Sequence, residues 1–269
     1  MIDISFIILT WNSEGYIEKC IHSITKSFEN KKYDFEIIII DNGSSDETLK
    51  RLERIPNETK KDIHLITLDE NKGTTYSRNL GLKRARGRYL CIMDSDVYIE
   101  DDVFDELLPV LESDESIGLI VPKTLYPSGK WQKSIDKFPT FQRKVFRFFR
   151  LKKIEDQEGS SSAINECMDV DYAISAFWLF KKEIIQEVGL LDENIFYAPE
   201  DADYCLRVWK CGYRIVYAPR CHVVHHTQEI SRGIKLNRAK IEHLKGLLYF
   251  FVKHKYLFRP NLKKANNNL

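Results

Sequence analysis

The chain has 269 residues, ample for a sizeable core in one large domain or two small ones, and its 43% hydrophobic and 30% charged residues are those of an ordinary soluble protein. A formal net charge of +1 provides no global field, so a nucleic-acid partner is not expected. The charge is uneven: Asn237–Leu269 carries eight Lys/Arg against one Glu, and Phe141–Lys153 carries six basic residues and no acidic one.

The opening "MIDISFIILTWN" has no basic leader and too short an apolar run, so neither a signal peptide nor a membrane span is expected there. "ISFIIL" (4–9) reads as a strand. A helix over Tyr16–Phe28 follows, with Ile17, Cys20, Ile21 and Ile24 on one face. "FEIIII" (35–40) lacks polar alternation, the pattern of a strand covered on both sides. It ends at "DNGSSDET", where Gly43 marks a turn and Ser44 with Glu47 has capping-box spacing.

"IHLITL" (63–68) is a third strand, "TTYSRNLGLKRA" (74–85) a helix, "RYLCIM" (88–93) a fourth strand and Asp101–Leu111 another helix. This alternation predicts an α/β fold with a Rossmann-like, mostly parallel sheet flanked by helices, and ligands at the carboxyl ends of the strands. Beyond Val121 the pattern weakens. "DYAISAFWLFKKEIIQEVG" (171–189) reads as a strand running into a helix, and "PEDADYCLRVWKCG" (199–212) as a helix opened by acids and closed by Gly212. "YRIVYAP" and "CHVVHH" read as two further strands.

Polar clusters fall at the strand ends: Thr10 with Asn12, then Asp41, then Asp94 with Asp96. In an extended segment Asp94 and Asp96 point to one side, and a divalent cation would relieve their repulsion; hard oxygen ligands suit Mg²⁺ or Mn²⁺. A turn with solvated acids explains the same letters. Asp41 suits a carboxylate bonded to a base or ribose, or one that takes backbone N–H groups in its own turn. Lys72 and Arg78 suit a nucleotide, with Asp94 a second partner for Arg78 and a solvated helix face the alternative for Lys72. Glu200, Asp201 and Asp203 either cap a helix or supply a general base. Of His222, His225 and His226, one imidazole could complete the coordination of a cation at the two aspartates. The six cysteines have no framework spacing and read as reduced thiols, and Cys205, Cys211, Cys221 and His222 lack the paired spacing of a zinc knuckle.

Six blocks in order, "ILTWNSEGYIEKCIHSI", "EIIIIDNGSSDET", "NKGTTYSRNLGLKRARGRYLCIMDSDV", "AFWLFKKEIIQEVGLLDENIF", "PEDADYCLRVWKCGYRIVYAP" and "VVHH", resemble the family 2 glycosyltransferases of the GT-A fold, most nearly the bacterial rhamnosyltransferase-like branch. The resemblance covers about Ile4–Ser231. Trp11 departs from the family pattern, and Lys123–Val170 has no secure match. It implies a transferase domain over 1–235, with a nucleotide-sugar half (1–121) and an acceptor-side half (122–235), and a basic amphipathic extension over 236–269.

The implied reaction is inverting and metal-dependent. A sugar moves from a nucleoside diphosphate sugar to a hydroxyl of a glycan or lipid-linked acceptor, in cell-surface polysaccharide synthesis. Asp201 would be the catalytic base. Thr10, Asn12, Glu14, Asp41, Lys72, Arg78 and Asp94 would bind the donor, and Trp178 and Glu200 the acceptor. Asp94, Asp96 and His225, or His226 in the other register, would hold Mn²⁺ or Mg²⁺. Competing readings are a sugar-nucleotide pyrophosphorylase, for which "LTWNSEGY" lacks the expected phosphate loop, and a non-catalytic sugar-nucleotide binder.

Two stretches suit an anionic membrane surface: Phe141, Val145 and Phe148 opposite Arg143, Arg147 and Arg150, and Ile241, Leu244, Leu248 and Phe251 among lysines. Packing against the core or a second copy suits the same stripes. The expected location is the cytoplasm, peripheral at the inner face of the plasma membrane.

Overall fold

A computed structural model describes residues 2–58, 62–100, 102–140, 165–227, 238–258, 260 and 262. Four strands form the first half of the sheet: β1 (Ile4–Thr10), β2 (Phe35–Asp41), β3 (Asp62–Thr67) and β4 (Tyr89–Asp94). They are joined by α1 (Ile17–Ser27), α2 (Thr48–Glu58) and α3 (Thr74–Arg84), and all pair in parallel in the order β3-β2-β1-β4. Every residue of β2 is buried, as its unbroken isoleucine run requires. The charge inside that run, Glu36, is satisfied by the Ser5 hydroxyl at 2.6 Å and the Arg86 backbone N–H at 2.7 Å.

Helix α3 approaches the sheet closely because Gly81 has no side chain. A Cβ there would stand 2.6 Å from Ile7 Cγ2 and 2.8 Å from Ile40 Cδ1. The parallel register places Thr10 beside Asp41, and Leu9 beside Asp94, so the polar residues ending these strands share one edge.

The second half is mixed. After β5 (Val97–Ile99), α4 (Val103–Ser113) leads to β6 (Ile117–Leu125), and two-residue strands β7 (Ile135–Asp136), β8 (Met168–Asp169) and β9 (Tyr172–Ala173) precede β10 (Phe177–Lys181). Strand β10 runs antiparallel between β4 and β6, while β11 (Arg214–His225) runs parallel to β6 and antiparallel to β5. Between β10 and β11 lie α5 (Ile184–Val188) and α6 (Glu200–Lys210), and α7 (Arg238–His254) follows.

Several expectations are corrected. The two late strands are one, β11, interrupted by a register shift between Ala218 and His222. The segment after Asp94 is a turn followed by β5, so Asp94 and Asp96 are brought together by a bend instead of by strand alternation. The capping box does not form. The Ser44 hydroxyl donates to Asp41 Oδ1 at 2.5 Å, and α2 starts at Thr48, whose N–H is taken by Asp46.

The last helix packs against the body of the fold. Phe250 is fully buried with the second core cluster, and Phe251 packs partly against it, which removes Phe251 from the outward stripe. Lys253 Nζ reaches Asp192 at 2.7 Å and Asp203 at 2.6 Å, and His254 Nε2 lies 2.8 Å from Asp203. Since Lys210 Nζ faces His254 Nδ1 at 2.9 Å, Nδ1 accepts and Nε2 donates. The basic stripe over Phe141–Lys153 lies outside the described residues.

Candidate active site

The strand-end edge gathers three groups suited to a metal. Asp94, Asp96 and His225 each offer one ligand atom, and these atoms lie within 4.8 Å of one another. Asp94 ends β4, Asp96 follows in the turn, and His225 ends β11, whose pairing with β5 sets His225 opposite Val97. His225 Nε2 stands 3.3 Å from Asp96 Oδ1, while its Nδ1 is buried with no hydrogen-bond partner.

The two histidines are told apart here. The His226 ring packs against Tyr98 and Tyr16, with centroids at 4.5 and 5.9 Å, and its backbone N–H donates to the Asp96 carbonyl. His225 is therefore the one that faces the carboxylates.

The local electrostatics favour a cation. Burial raises the Asp94 pKa, and the nearby Asp96 charge adds to the rise, against the opposing pull of Arg78. Burial alone would lower the His225 pKa, but the Asp96 hydrogen bond and the charges of Asp96 and Asp94 outweigh it and raise it. The half-buried Asp94, the buried Asp96 and one imidazole form an oxygen-and-nitrogen set that suits Mn²⁺ or Mg²⁺. The residues present fit such an ion. Among the described residues one other group, Glu36, Asp62 and His64, has comparable spacing, and Arg86 already ties Glu36 and Asp62 together.

Arg78 lies beneath this group and is 2% exposed. Its Nη2 donates to Asp94 Oδ1 at 2.6 Å, and its Nη1 donates to Ser175 Oγ at 2.7 Å and to Glu200 Oε1 at 3.4 Å. Arg78 thus supports the site from below, correcting the expectation that it binds the donor directly. One guanidinium is shared by two carboxyls, and burial, then the charge of Asp201, pushes the Glu200 pKa up to about 8.

Glu200 is buried and also accepts from Ser175 Oγ at 2.9 Å, so it offers no open face to an acceptor. Its neighbour Asp201, in the first turn of α6, is half-buried, and its Oδ1 accepts the Ala202 N–H at 2.7 Å. Tyr197, 39% exposed, precedes this turn, and burial and the charges of Glu200, Asp94 and Asp201 raise its pKa to about 12.

Trp178 requires the plainest correction. It is completely buried at the centre of β10, its indole N–H bonds to the Ala173 carbonyl at 3.2 Å, and its ring stacks on Tyr204. An acceptor cannot reach it.

Among the donor-side residues, Asn12 has a positive φ of 51°, donates its N–H to Ser44 Oγ, and accepts the Ser45 N–H on Oδ1. Glu14 accepts the Glu47 N–H at 3.0 Å. Asp41 is buried with both oxygens turned to Ser44, so its turn role is filled. Thr10 Oγ1 is buried without a hydrogen-bond partner. The Lys72 ammonium pairs with Glu70 at the surface.

Three residues that the sequence did not signal also join the site. Ser175 links Arg78 to Glu200, Ser95 meets Ser13 at 2.8 Å beneath the turn between the aspartates, and Asn42 ties β2 to Lys72 and Ser77. A serine or asparagine in a loop carries no periodicity that would mark it. The cysteines proposed and set aside for zinc bond three separate carbonyls, those of Ala173, Glu187 and Ala218.

Comparison with known proteins places this geometry. The chain is 27% identical over 217 residues to the poly-beta-1,6-N-acetyl-D-glucosamine synthase of Staphylococcus aureus (strain MSSA476), covering 80% of this chain and 48% of that protein. The chain therefore spans about half the length of the curated relatives it matches. That relative's name concerns N-acetylglucosamine, not rhamnose, so the rhamnosyltransferase-like branch is not what it indicates.

In three dimensions the chain resembles GalNAc-T7 crystallised with UDP, GalNAc and Mn²⁺, with a TM-score of 0.70 at 19% identity, over 94% of this chain and 48% of the other. It also resembles the mannosyltransferase PcManGT from Pyrobaculum calidifontis in complex with GDP-Man and Mn²⁺, with a TM-score of 0.61 at 17% identity, over 93% and 63%. At such identities the likeness concerns the fold, which is that of the GT-A glycosyltransferases. Residues 5–189 match the family described as Glycosyl transferase family 2, and the chain belongs to that family.

Proposed function

We propose that the protein is an inverting glycosyltransferase that moves a sugar from a nucleoside diphosphate sugar to a hydroxyl of a glycan or lipid-linked acceptor, in the synthesis of a surface polysaccharide. The observation that carries the reading is the convergence of Asp94, Asp96 and His225 within 4.8 Å at the strand ends, with Arg78 bridging Asp94 to Glu200, the neighbour of Asp201 at the start of α6.

Asp94, Asp96 and His225 would hold a divalent cation. Bound there, it would neutralise negative charge on the departing diphosphate. Asp201 would take the acceptor proton as the hydroxyl attacks the anomeric carbon, its carboxylate oriented by the Ala202 N–H. Glu200, with its pKa raised to about 8, keeps a proton at neutral pH, so the negative charge of the pair rests on Asp201. Arg78 fixes Asp94 and Glu200 relative to each other, and so keeps the metal ligands and the base in register. The attacking hydroxyl, with its base, and the departing diphosphate would lie on opposite sides of the sugar, and no covalent enzyme intermediate is needed.

The test is sugar transfer and calorimetric donor binding with UDP-N-acetylglucosamine, GDP-mannose and dTDP-rhamnose, each with Mn²⁺ and with EDTA. The expected result is binding that requires the metal. Asp96→Ala abolishes that requirement along with tight binding, and Asp201→Asn lowers turnover by at least about 100-fold while donor affinity is kept. A response to dTDP-rhamnose alone supports the rhamnosyltransferase branch. Full turnover in both variants refutes the assignment. Metal-dependent binding with neither hydrolysis nor transfer supports a sugar-nucleotide binder instead.

A further inference from the structure

Helix α7 is apolar on two opposite faces. One face carries Phe250 into the core, together with Gly246, whose backbone lies against the Ala198 carbonyl. The other presents Ile241, Leu244, Leu248 and Val252, which are 42%, 58%, 61% and 76% exposed. Spacings of three, four and four residues align these four along one line of the helix. Leu257 and Phe258, 51% and 63% exposed, are two further exposed apolar residues just past the helix end. A surface helix normally turns polar residues to water, so a continuous outward apolar line marks a contact surface.

We propose that this outward face of α7 docks onto an anionic lipid bilayer. Charge selects the partner. Residues Asn237–Leu269 hold eight Lys/Arg against one Glu, while the whole chain is only +1, so the rest of the protein is net acidic. Lys245 and Lys255 are exposed beside the apolar line, and Lys245 also pairs with Glu242 at 2.8 Å. Long lysine stems can lie along the apolar surface while their ammonium groups reach the headgroups. A two-fold contact between copies would instead set one basic helix against another. No helix among the described residues is long and apolar enough to cross a membrane, and the proposal concerns this surface face alone.

The geometry gives the docking a consequence for acceptor supply, which rests on the transferase reading above. Gly246 touches the corner at Ala198, two residues before Glu200 and three before Asp201. One helix diameter, about 10 Å, separates that corner from the outward face. A bilayer on that face would therefore lie beside the acceptor side of the site, within reach of an acceptor carried on a lipid.

The experiment is co-flotation of the full chain with vesicles of phosphatidylcholine alone, or with roughly one third phosphatidylserine, at low and high salt. Binding is expected to anionic vesicles at low salt and to weaken with salt. Leu244→Ser/Leu248→Ser should lower it by roughly tenfold or more, and Lys245→Glu/Lys255→Glu by about fivefold per charge. Thermal melting verifies that each variant is folded. Metal-dependent donor binding, measured in solution on the same samples, should not change. No flotation on anionic vesicles overturns the proposal, as does flotation that ignores the leucine pair. A dimer of the unmodified chain that the leucine pair dissociates overturns it too, since the stripe is then a self-contact. No metal-dependent donor binding by the unmodified chain, with vesicle binding intact, would refute the transferase reading and leave the docking standing.

Discussion

Gly246→Ala sets two opposing effects against each other at the joint between α7 and the site. In an isolated helix, alanine is favoured over glycine by about 1 kcal/mol. Here, however, a Cβ on residue 246 would stand 2.1 Å from the Ala198 carbonyl oxygen and 3.1 Å from its carbon. Ordinary carbon–oxygen contacts begin at about 3.3 Å, so the helix or the corner must move by roughly 1 Å. The obstacle is backbone, which cannot swing aside as a side chain would. Overpacking of this kind costs about 1–3 kcal/mol, and the clash therefore cancels or outweighs the propensity gain.

The net expectation is destabilisation by about 0–2 kcal/mol. Turnover should also fall disproportionately to donor affinity, because the displaced corner leads into Asp201. Urea unfolding followed by tryptophan fluorescence gives the first quantity, and steady-state kinetics with separately measured donor binding gives the second. A variant stabilised by about 1 kcal/mol, with unchanged turnover, would show that α7 does not seat against Ala198 and would refute the reasoning.

Arg78→Met should cost about 2–4 kcal/mol in urea unfolding, because it leaves the half-buried Asp94 carboxylate without its cation and removes the arginine's hydrogen bonds to buried Glu200 and Ser175; a loss below about 1 kcal/mol contradicts that account. The tether of α7 through Asp203 should be sensitive to acid. Burial alone would raise the Asp203 pKa, but the hydrogen bond from His254 and the charges of Arg207 and Lys253 outweigh it and hold it below the usual carboxylate range. A depressed folded-state pKa means that the unfolded chain binds more protons as pH falls. The stabilisation is then complete above the unfolded value of about 3.9 and is lost as pH drops through the folded one. Asp203→Asn should flatten the acid limb of the stability profile, and an unchanged limb would show that the tether contributes nothing there.

The parallel half of the fold was legible because its signals are periodic. Unbroken isoleucine in β2 and the one-sided pattern of α1 leave few alternatives, and both elements fall within a residue or so of the positions their letters indicate. Asp94, Asp96 and His225 were legible as types at strand ends, yet their proximity depends on a turn and a three-residue strand too short to carry a pattern. Trp178 misled because an aromatic residue in an apolar run reads the same whether it lines a pocket or fills a core. Only the placement of β10 between β4 and β6 decides which. The capping box failed through competition, since Asp41 claims the Ser44 hydroxyl first. In α7 the letters mark an amphipathic helix but not its orientation, for Phe250 and Leu248 are equally apolar and only packing turns one inward.

The irregular step in β11 between Ala218 and His222 acts as a parity switch for the residues downstream. Side chains along a strand alternate, so removing or adding a single residue at that step would exchange His225 and His226 between the carboxylates and the tyrosines. A chain shortened by one residue there would retain both imidazoles and all its hydrophobic letters, yet present to the aspartates the ring that now rests on Tyr98. What distinguishes two adjacent, chemically identical histidines in this protein is thus the odd or even count of residues leading up to them.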